Sequence, residues 1–305
     1  MKDLAGKAAF VTGGASGIGL GMARAFAREG MKIAIADIRE DHLSEARAAM
    51  DEAGLGNSAI YLRLDVTDRA AYAQAADEAE AAFGKLHVLC NNAGIGMLKP
   101  IGKATTRDWD WAIDVNLNSM FNGVHEILPR IRAHGEGGHI VNTASMAGIL
   151  QYSSAGIYVA TKFAVVGFSE ALRAELAPER IGVSAFCPGG VRTNIREYEK
   201  TRPERFVNEG EDAPPPGPPP GFKFGEEDLK RLGSLTATPD EAGRMVLDGI
   251  RANALYIFTA PEFRPGIEER FAAILKALGE DKEREAIALD LIPGLIGSPI
   301  YREAP

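Results

Sequence analysis

A doubly wound α/β fold, one parallel sheet with helices on both faces, is what this sequence predicts. Three observations predict it. Short apolar runs alternate with longer helical ones, the first run leads straight into a glycine-rich turn, and the alternation continues without a break to about residue 190. Ala8–Thr12, Lys32–Ala36, Ala59–Leu64, Leu86–Cys90, His139–Thr143 and Val183–Phe186 are short and nearly all apolar, as parallel strands covered on both faces must be. Between them, Ile18–Arg28, Asp41–Ala53, Arg69–Phe83, Arg107–Arg132 and Gly156–Ala177 carry apolar residues at three- and four-residue spacing, as Ile18, Met22 and Phe26 illustrate. Strands and helices in alternation imply right-handed crossovers within one sheet. Leu255–Thr259 reads as a last strand, so residues 1–260 form one unit and 261–305 a helical extension of it. In that extension Ile267, Phe271, Ile274, Leu275 and Leu278 make an apolar stripe that must be buried on this subunit or on a neighbour.

One region interrupts the rhythm. Residues 194–235 contain Ala213-Pro-Pro-Pro-Gly-Pro-Pro-Pro-Gly221, where six of the 17 prolines fall, a composition for extended polyproline II rather than helix or strand.

Composition excludes several functions. The 305 residues are 46% hydrophobic and 25% charged, enough to bury a full core. A net charge of −8, spread along the chain, repels nucleic acid and anionic membrane, so neither is an expected partner. No apolar run approaches the ~18 residues of a membrane span. The opening Met1-Lys2-Asp3-Leu4 lacks a signal peptide's apolar core, so the expected location is the cytoplasm. Cys90 and Cys187 both lie in apolar strands and read as buried thiols, not as a disulfide or metal pair; no metal is expected.

The turn Thr12-Gly13-Gly14-Ala15-Ser16-Gly17-Ile18-Gly19 stands between a strand and a helix, the context of a dinucleotide site. Glycines at 13, 17 and 19 let the backbone turn tightly and approach a pyrophosphate, which the N–H groups and positive end of the next helix favour. Asp37 closes the second strand, where a carboxylate takes the adenosine ribose hydroxyls and repels a 2′-phosphate. NAD is therefore favoured over NADP, although Arg39, two residues on, would soften that preference if it paired with such a phosphate. Asp65, at the end of the third strand, is placed either to meet the adenine or, like Asp68, to cap the following helix.

Tyr158 and Lys162 lie four apart in a helical run and so share one face. A phenol of pKa about 10 is a poor base at neutral pH. An ammonium at ~4 Å, worth roughly 4 kcal/mol at an effective dielectric of ~20, would bring it into the useful range. Ser145 ends the fifth strand, where its hydroxyl can hold a carbonyl or an alcohol.

Together, Thr12-Gly-x-x-x-Gly-Ile-Gly19, Asn91-Asn-Ala-Gly94, Ser145, Tyr158-Val-Ala-Thr-Lys162 and Pro188-Gly189 resemble, in order and spacing, the short-chain dehydrogenase/reductase family over roughly residues 5–260. The resemblance implies a three-layer Rossmann fold and a catalytic set of Asn116, Ser145, Tyr158 and Lys162. Asn118 is a rival to Asn116 by composition, but the family pattern points to Asn116. It also implies cofactor contacts from Gly13, Ser16, Gly17, Ile18, Gly19, Asp37, Asp65, Val66, Asn92, Ala93, Gly94, Tyr158, Lys162, Pro188, Gly189, Val191 and Thr193, with Asn91 structural. Such proteins are usually homodimers or homotetramers formed through their long helices. The opening residues, Asn253-Ala-Leu-Tyr-Ile257 and the tail around Ile267–Phe271 are further similar to bacterial lignin-ether Cα-dehydrogenases.

The expected substrate is a bulky hydrophobic secondary alcohol or ketone, aromatic or polycyclic. Met146, Ile149, Leu150, Gln151 and Tyr152 follow Ser145, Met97 and Leu98 follow the Asn-Asn-Ala-Gly turn, and Tyr198, Phe206, Phe222 and Phe224 sit in the long loop, with few charges among them. The proline run is expected to edge a substrate lid. A cofactor-retaining epimerase or dehydratase, and a non-catalytic NAD sensor, are the competing functions; the first usually has a larger substrate domain, and the second usually loses the tyrosine or lysine.

Overall fold

In the computed structural model, which describes residues 1–209 and 225–302, every expected strand forms. These are β1 (Ala8–Thr12), β2 (Lys32–Asp37), β3 (Ala59–Arg63), β4 (Val88–Asn91), β5 (Gly138–Thr143), β6 (Ile181–Cys187) and β7 (Tyr256–Phe258). All pair in parallel in the order β3-β2-β1-β4-β5-β6-β7. Central strands such as β1 and β5 are buried at every position, which is why their sequences do not alternate. The chain leaves β1 toward β2 on one side and returns to β4 on the other. That reversal opens a crevice at the carboxyl ends of β1 and β4.

The helices are α1 (Gly17–Arg28), α2 (Glu40–Glu52), α3 (Arg69–Phe83), α4 (Thr106–Ile113), α5 (Ser119–His134), α6 (Gly156–Leu176), α7 (Glu226–Ser234), α8 (Pro239–Ala252), α9 (Arg264–Leu278), α10 (Lys282–Leu291) and α11 (Pro293–Ile296). On one face of the sheet, Met22 and Phe26 of α1 pack with Val246 and Ile250 of α8. The two helices nearly touch, since a Cβ on Gly21 would fall 1.9 Å from the Pro239 carbonyl oxygen. On the other face, Tyr72 of α3, Ile127 of α5 and Leu172 and Leu176 of α6 make the second core layer. Cys90 and Cys187 are free and buried, as expected, and burial pushes the Cys187 thiol up to about 12.

Two elements differ from expectation. The helix expected over Arg107–Arg132 is interrupted: α4 and α5 are joined by a wide π-turn, Asp114–Asn118. The Asn116 side chain at its centre leaves the helix to bond the loop after β4, and such single wide turns are common at functional sites. Among the described residues, the apolar stripe of α9 finds cover at Ile267, which packs against the cluster containing Met146 and Val165. Phe271 is 49% exposed and Leu278 80% exposed. The proline-rich run, with Phe222 and Phe224, lies outside the described residues.

Candidate active site

The crevice is one cavity of about 420 Å³, within the range of cofactor and drug-sized sites. Of the residues expected to bind cofactor, Gly13, Ser16, Gly17, Ile18, Asp37, Asp65, Val66, Asn92, Ala93, Gly94, Tyr158, Lys162, Pro188, Gly189, Val191 and Thr193 all line it. Gly19 does not. It lies behind the turn, where a Cβ would fall 2.1 Å from the Gly13 carbonyl oxygen, so its part is to let α1 pack on β1. Gly13 and Gly17 both have left-handed φ, +57° and +50°, and a Cβ on either would come within 2.9 Å of Ala93 or Thr193.

The N-terminus of α1 has no side-chain cap and no acid in its first turn. Its N–H groups therefore face the crevice without a competing carboxylate, the arrangement a pyrophosphate requires. Ser16, at the cap position, donates instead to the Asn194 side-chain oxygen at 3.2 Å. Asp37 accepts from the backbone N–H groups of Ala15 (3.2 Å) and Arg39 (3.1 Å). Burial raises its pKa against the pull of those two bonds. Asp65 lines the cavity while accepting from Thr67 N–H and hydroxyl, and Asp68 is the cap of the following helix.

Asn92 lines the cavity and also fastens the turn. Its amide donates to Thr12 and Gly13 carbonyls at 3.0 and 3.2 Å and accepts from the Thr143 hydroxyl, fastening the turn after β1 to β4 and β5. Asn91 is buried as expected, bonded to Asn142 and to the Met120 carbonyl.

The four residues expected at the chemical centre converge. Ser145, two residues beyond β5, hydrogen-bonds Tyr158 on α6. The Lys162 ammonium donates to the Thr143 carbonyl at 2.8 Å and stands 5.6 Å from the centre of the Tyr158 ring. Asn116 is fully buried behind Gly94, accepting from Ile95 N–H (2.8 Å) and donating to the Ile95 carbonyl (3.0 Å) and the Thr161 hydroxyl (3.2 Å). Asn118 instead bonds Asp114 on the surface.

The electrostatics correct one expectation. Tyr158 is not depressed: burial raises it, and the bond with Ser145 pulls the other way. Lys162 stands beside the ring, and burial lowers its own pKa to about 8. The pair is held desolvated, with the lysine charged at neutral pH.

The profile described as short chain dehydrogenase matches residues 7–204, across the crevice and all four of these residues. The chain belongs to the short-chain dehydrogenase family. It is 39% identical over 282 residues to a C alpha-dehydrogenase of Sphingobium, covering 91% of this chain and 88% of that protein. A solved short-chain dehydrogenase structure from Novosphingobium aromaticivorans superposes with a TM-score of 0.79 at 35% identity, covering 99% of each chain. Another, from Burkholderia phymatum in complex with NAD, gives 0.78 at 32% identity, covering 90% of this chain and 96% of that one. This short-chain dehydrogenase is thus an oxidoreductase with a nicotinamide cofactor. The uncapped α1 N-terminus and the close-packed glycine turn fit that cofactor's pyrophosphate.

The alcohol end of this dehydrogenase is built differently from the sequence expectation. Of the apolar residues proposed for its wall, Tyr198 lines the cavity. Met97 and Phe206 pack in a core cluster with Trp111, and Met146 and Ile149 in another. The wall also includes Ile95, Trp111, Val115 and Thr201. Sequence reasoning missed these, although Trp111 and Val115, four apart on one helical face, carried a readable signal. The segment Asn194–Asn208 crosses the crevice as a lid: Tyr198 stands in this wall, while Asn194 contacts His42 at 3.3 Å and Arg205 reaches Thr67 at 3.4 Å on the side of β2 and β3.

Proposed function

We propose that this enzyme is an NAD-dependent dehydrogenase of bulky hydrophobic secondary alcohols, aryl alcohols foremost, with Tyr158 as its acid/base. The observation that carries the reading is continuity. One cavity runs from Asp37, past the Ser145–Tyr158 pair, to a wall of Ile95, Trp111, Val115 and Tyr198. Ser145 is placed to hold the substrate oxygen and Tyr158 to take its proton during oxidation or return it during reduction. Lys162 stabilises the phenolate, and Asn116 and Thr161 keep the Gly94–Ile95 loop in place behind it. The bound oxidised nicotinamide supplies the hydride acceptor and a positive charge that favours the same phenolate. Residues Val191 and Thr193, after β6, would hold its carboxamide, as the family resemblance implies.

Asp37 in the cavity favours NAD over NADP. Arg39 reinforces this, because its guanidinium is paired with Asp41 and lies 3.7 Å from Glu197 rather than being offered to a 2′-phosphate. The resemblance to lignin-ether Cα-dehydrogenases, together with the 39% identity to a C alpha-dehydrogenase, supports an alcohol carbon beside an aryl ring, as in aryl-propanoid benzylic alcohols. The test is NADH or NADPH formation by the purified protein on a panel of aryl, steroid and short alkyl secondary alcohols. Turnover with NAD, strongest on aryl alcohols, is expected. A small anionic hydroxy acid as the best substrate, or NADP as the better cofactor, would overturn the reading.

A further inference from the structure

Asp108 has no exposed surface and takes no part in the chemistry above. It stands in the first turn of α4, where a capping box needs it only to accept from Thr105 N–H (3.0 Å) while Thr105 caps the helix. Three further donors converge on the same carboxylate. Lys99 Nζ lies at 2.7 Å, Arg202 Nη2 at 3.0 Å and Asn208 Nδ2 at 2.9 Å, the last two from the lid. Burial alone would push this carboxyl up, but the four donors outweigh it and hold the group well below the usual carboxylate range. A buried ion pair is poor evidence of stability, since desolvation offsets much of the attraction; fixing one arrangement among several is the better-attested use.

The arrangement fixed here leads to the substrate wall. Arg202 also pairs with Glu199 (2.7 Å) and donates to the Phe206 carbonyl (2.9 Å). Its guanidinium lies over the Trp111 ring, 4.3 Å from the centroid, and that ring meets Tyr198 at 5.8 Å. Both rings line the cavity. Apart from Phe206, no residue of Asn194–Asn208 is fully buried, so the lid has little packing of its own to hold it.

We propose that Asp108, acting through Arg202, is a positioning residue that sets where Trp111 and Tyr198 stand and thereby the enzyme's preference for bulky over small alcohols. The substrate part of this inference rests on the function proposed above; the ring-position part does not. The test uses Arg202→Met, which keeps an apolar stem over Trp111 but loses the fork, and Asp108→Asn, which can still accept from Thr105. Kinetics are measured with 1-phenylpropan-1-ol and butan-2-ol, cofactor binding by NADH fluorescence, and ring exposure by acrylamide quenching of Trp111 in a Trp109→Phe background. The account expects KM for the aryl alcohol to rise about tenfold with kcat within about threefold, and KM for the small alcohol to change less than about twofold. Quenching should rise about twofold with NADH affinity unchanged, and the double variant should be no worse than the worse single one, because the two act as a unit. Equal losses on both alcohols, or unchanged quenching, would overturn it. If Asp108→Asn fails to fold, Arg202→Met decides alone. If the wild type oxidises neither alcohol, the proposed function falls, and quenching still decides whether this relay places the rings.

Discussion

The two ends of the crevice are made from different materials. The cofactor end is strand termini: the turn after β1, Asp37 closing β2, Asn92 after β4 and Pro188-Gly189 after β6. Its contacts are backbone groups and short side chains, pinned by bonds such as Asn92 to Thr12 and Gly13. The alcohol end is one helix face and a lid, Trp111 and Val115 against Tyr198 and Thr201, placed by long side chains that meet across about a hundred residues of sequence. A binding end built on strand termini is as rigid as the sheet. One built on a lid is as rigid as its few anchors. Changes at the first end should therefore alter chemistry or cofactor choice abruptly, while changes at the second should grade substrate preference.

The largest effect short of removing the acid/base itself is expected at Lys162. Lys162→Met should lower kcat/KM for alcohol oxidation about 100-fold, measured with saturating NAD. The same substitution should not destabilise the protein at pH 7. Burial holds this lysine at about 8 against an ordinary 10.5, so the folded state bears a cost for its charge at pH 7. That cost is relieved as the pH rises through 8 toward 10.5, where the unfolded chain binds more protons than the folded one. The Tm difference between variant and wild type should thus be most favourable to the variant at pH 7 and shrink by pH 10. Wild-type oxidation should itself rise with pH from about 7, since burial makes the Tyr158 phenolate scarce, and flatten above about 8 as Lys162 loses its charge. A flat profile would contradict the pairing.

A smaller change is expected at the far end of the same rigid wall. Asp37→Ser should raise KM for NAD about tenfold and bring NADP within about tenfold of it, read from initial rates with each cofactor. If NADP remains excluded, the selectivity lies with Asp41 and Glu197, which occupy Arg39. The smallest and most graded effects are those of the lid relay at Arg202.

The same contrast explains what could be read from sequence. That the glycine turn, Asp37, Tyr158 and Lys162 meet in one crevice is legible, because their placement depends on local spacing at strand ends and along one helix. The break at Asp114–Asn118 is not, since the apolar pattern continues through α4 and α5, and the bonds of Asn116 at its centre reach Ile95 and Thr161, 21 and 45 residues away. Gly19 belongs to the same turn, but its close approach to the Gly13 carbonyl, which leaves no room for a Cβ, is not legible from spacing. On the lid, Tyr198 and Phe206 are both aromatic in a segment without periodicity, and nothing in the sequence says that the first lines the cavity and the second fills the core. Asp108 reads as a helix cap, and its lid partners lie 94 and 100 residues away.

The account's central claim is that Tyr158 exchanges the proton at the junction of these two ends. The most direct measurement is NAD-dependent oxidation of 1-phenylpropan-1-ol by wild type and Tyr158→Phe, with NADH affinity determined for both. The account predicts a loss of about 10³-fold in kcat/KM at unchanged NADH affinity. Oxidation by the variant within about threefold of wild type would contradict it.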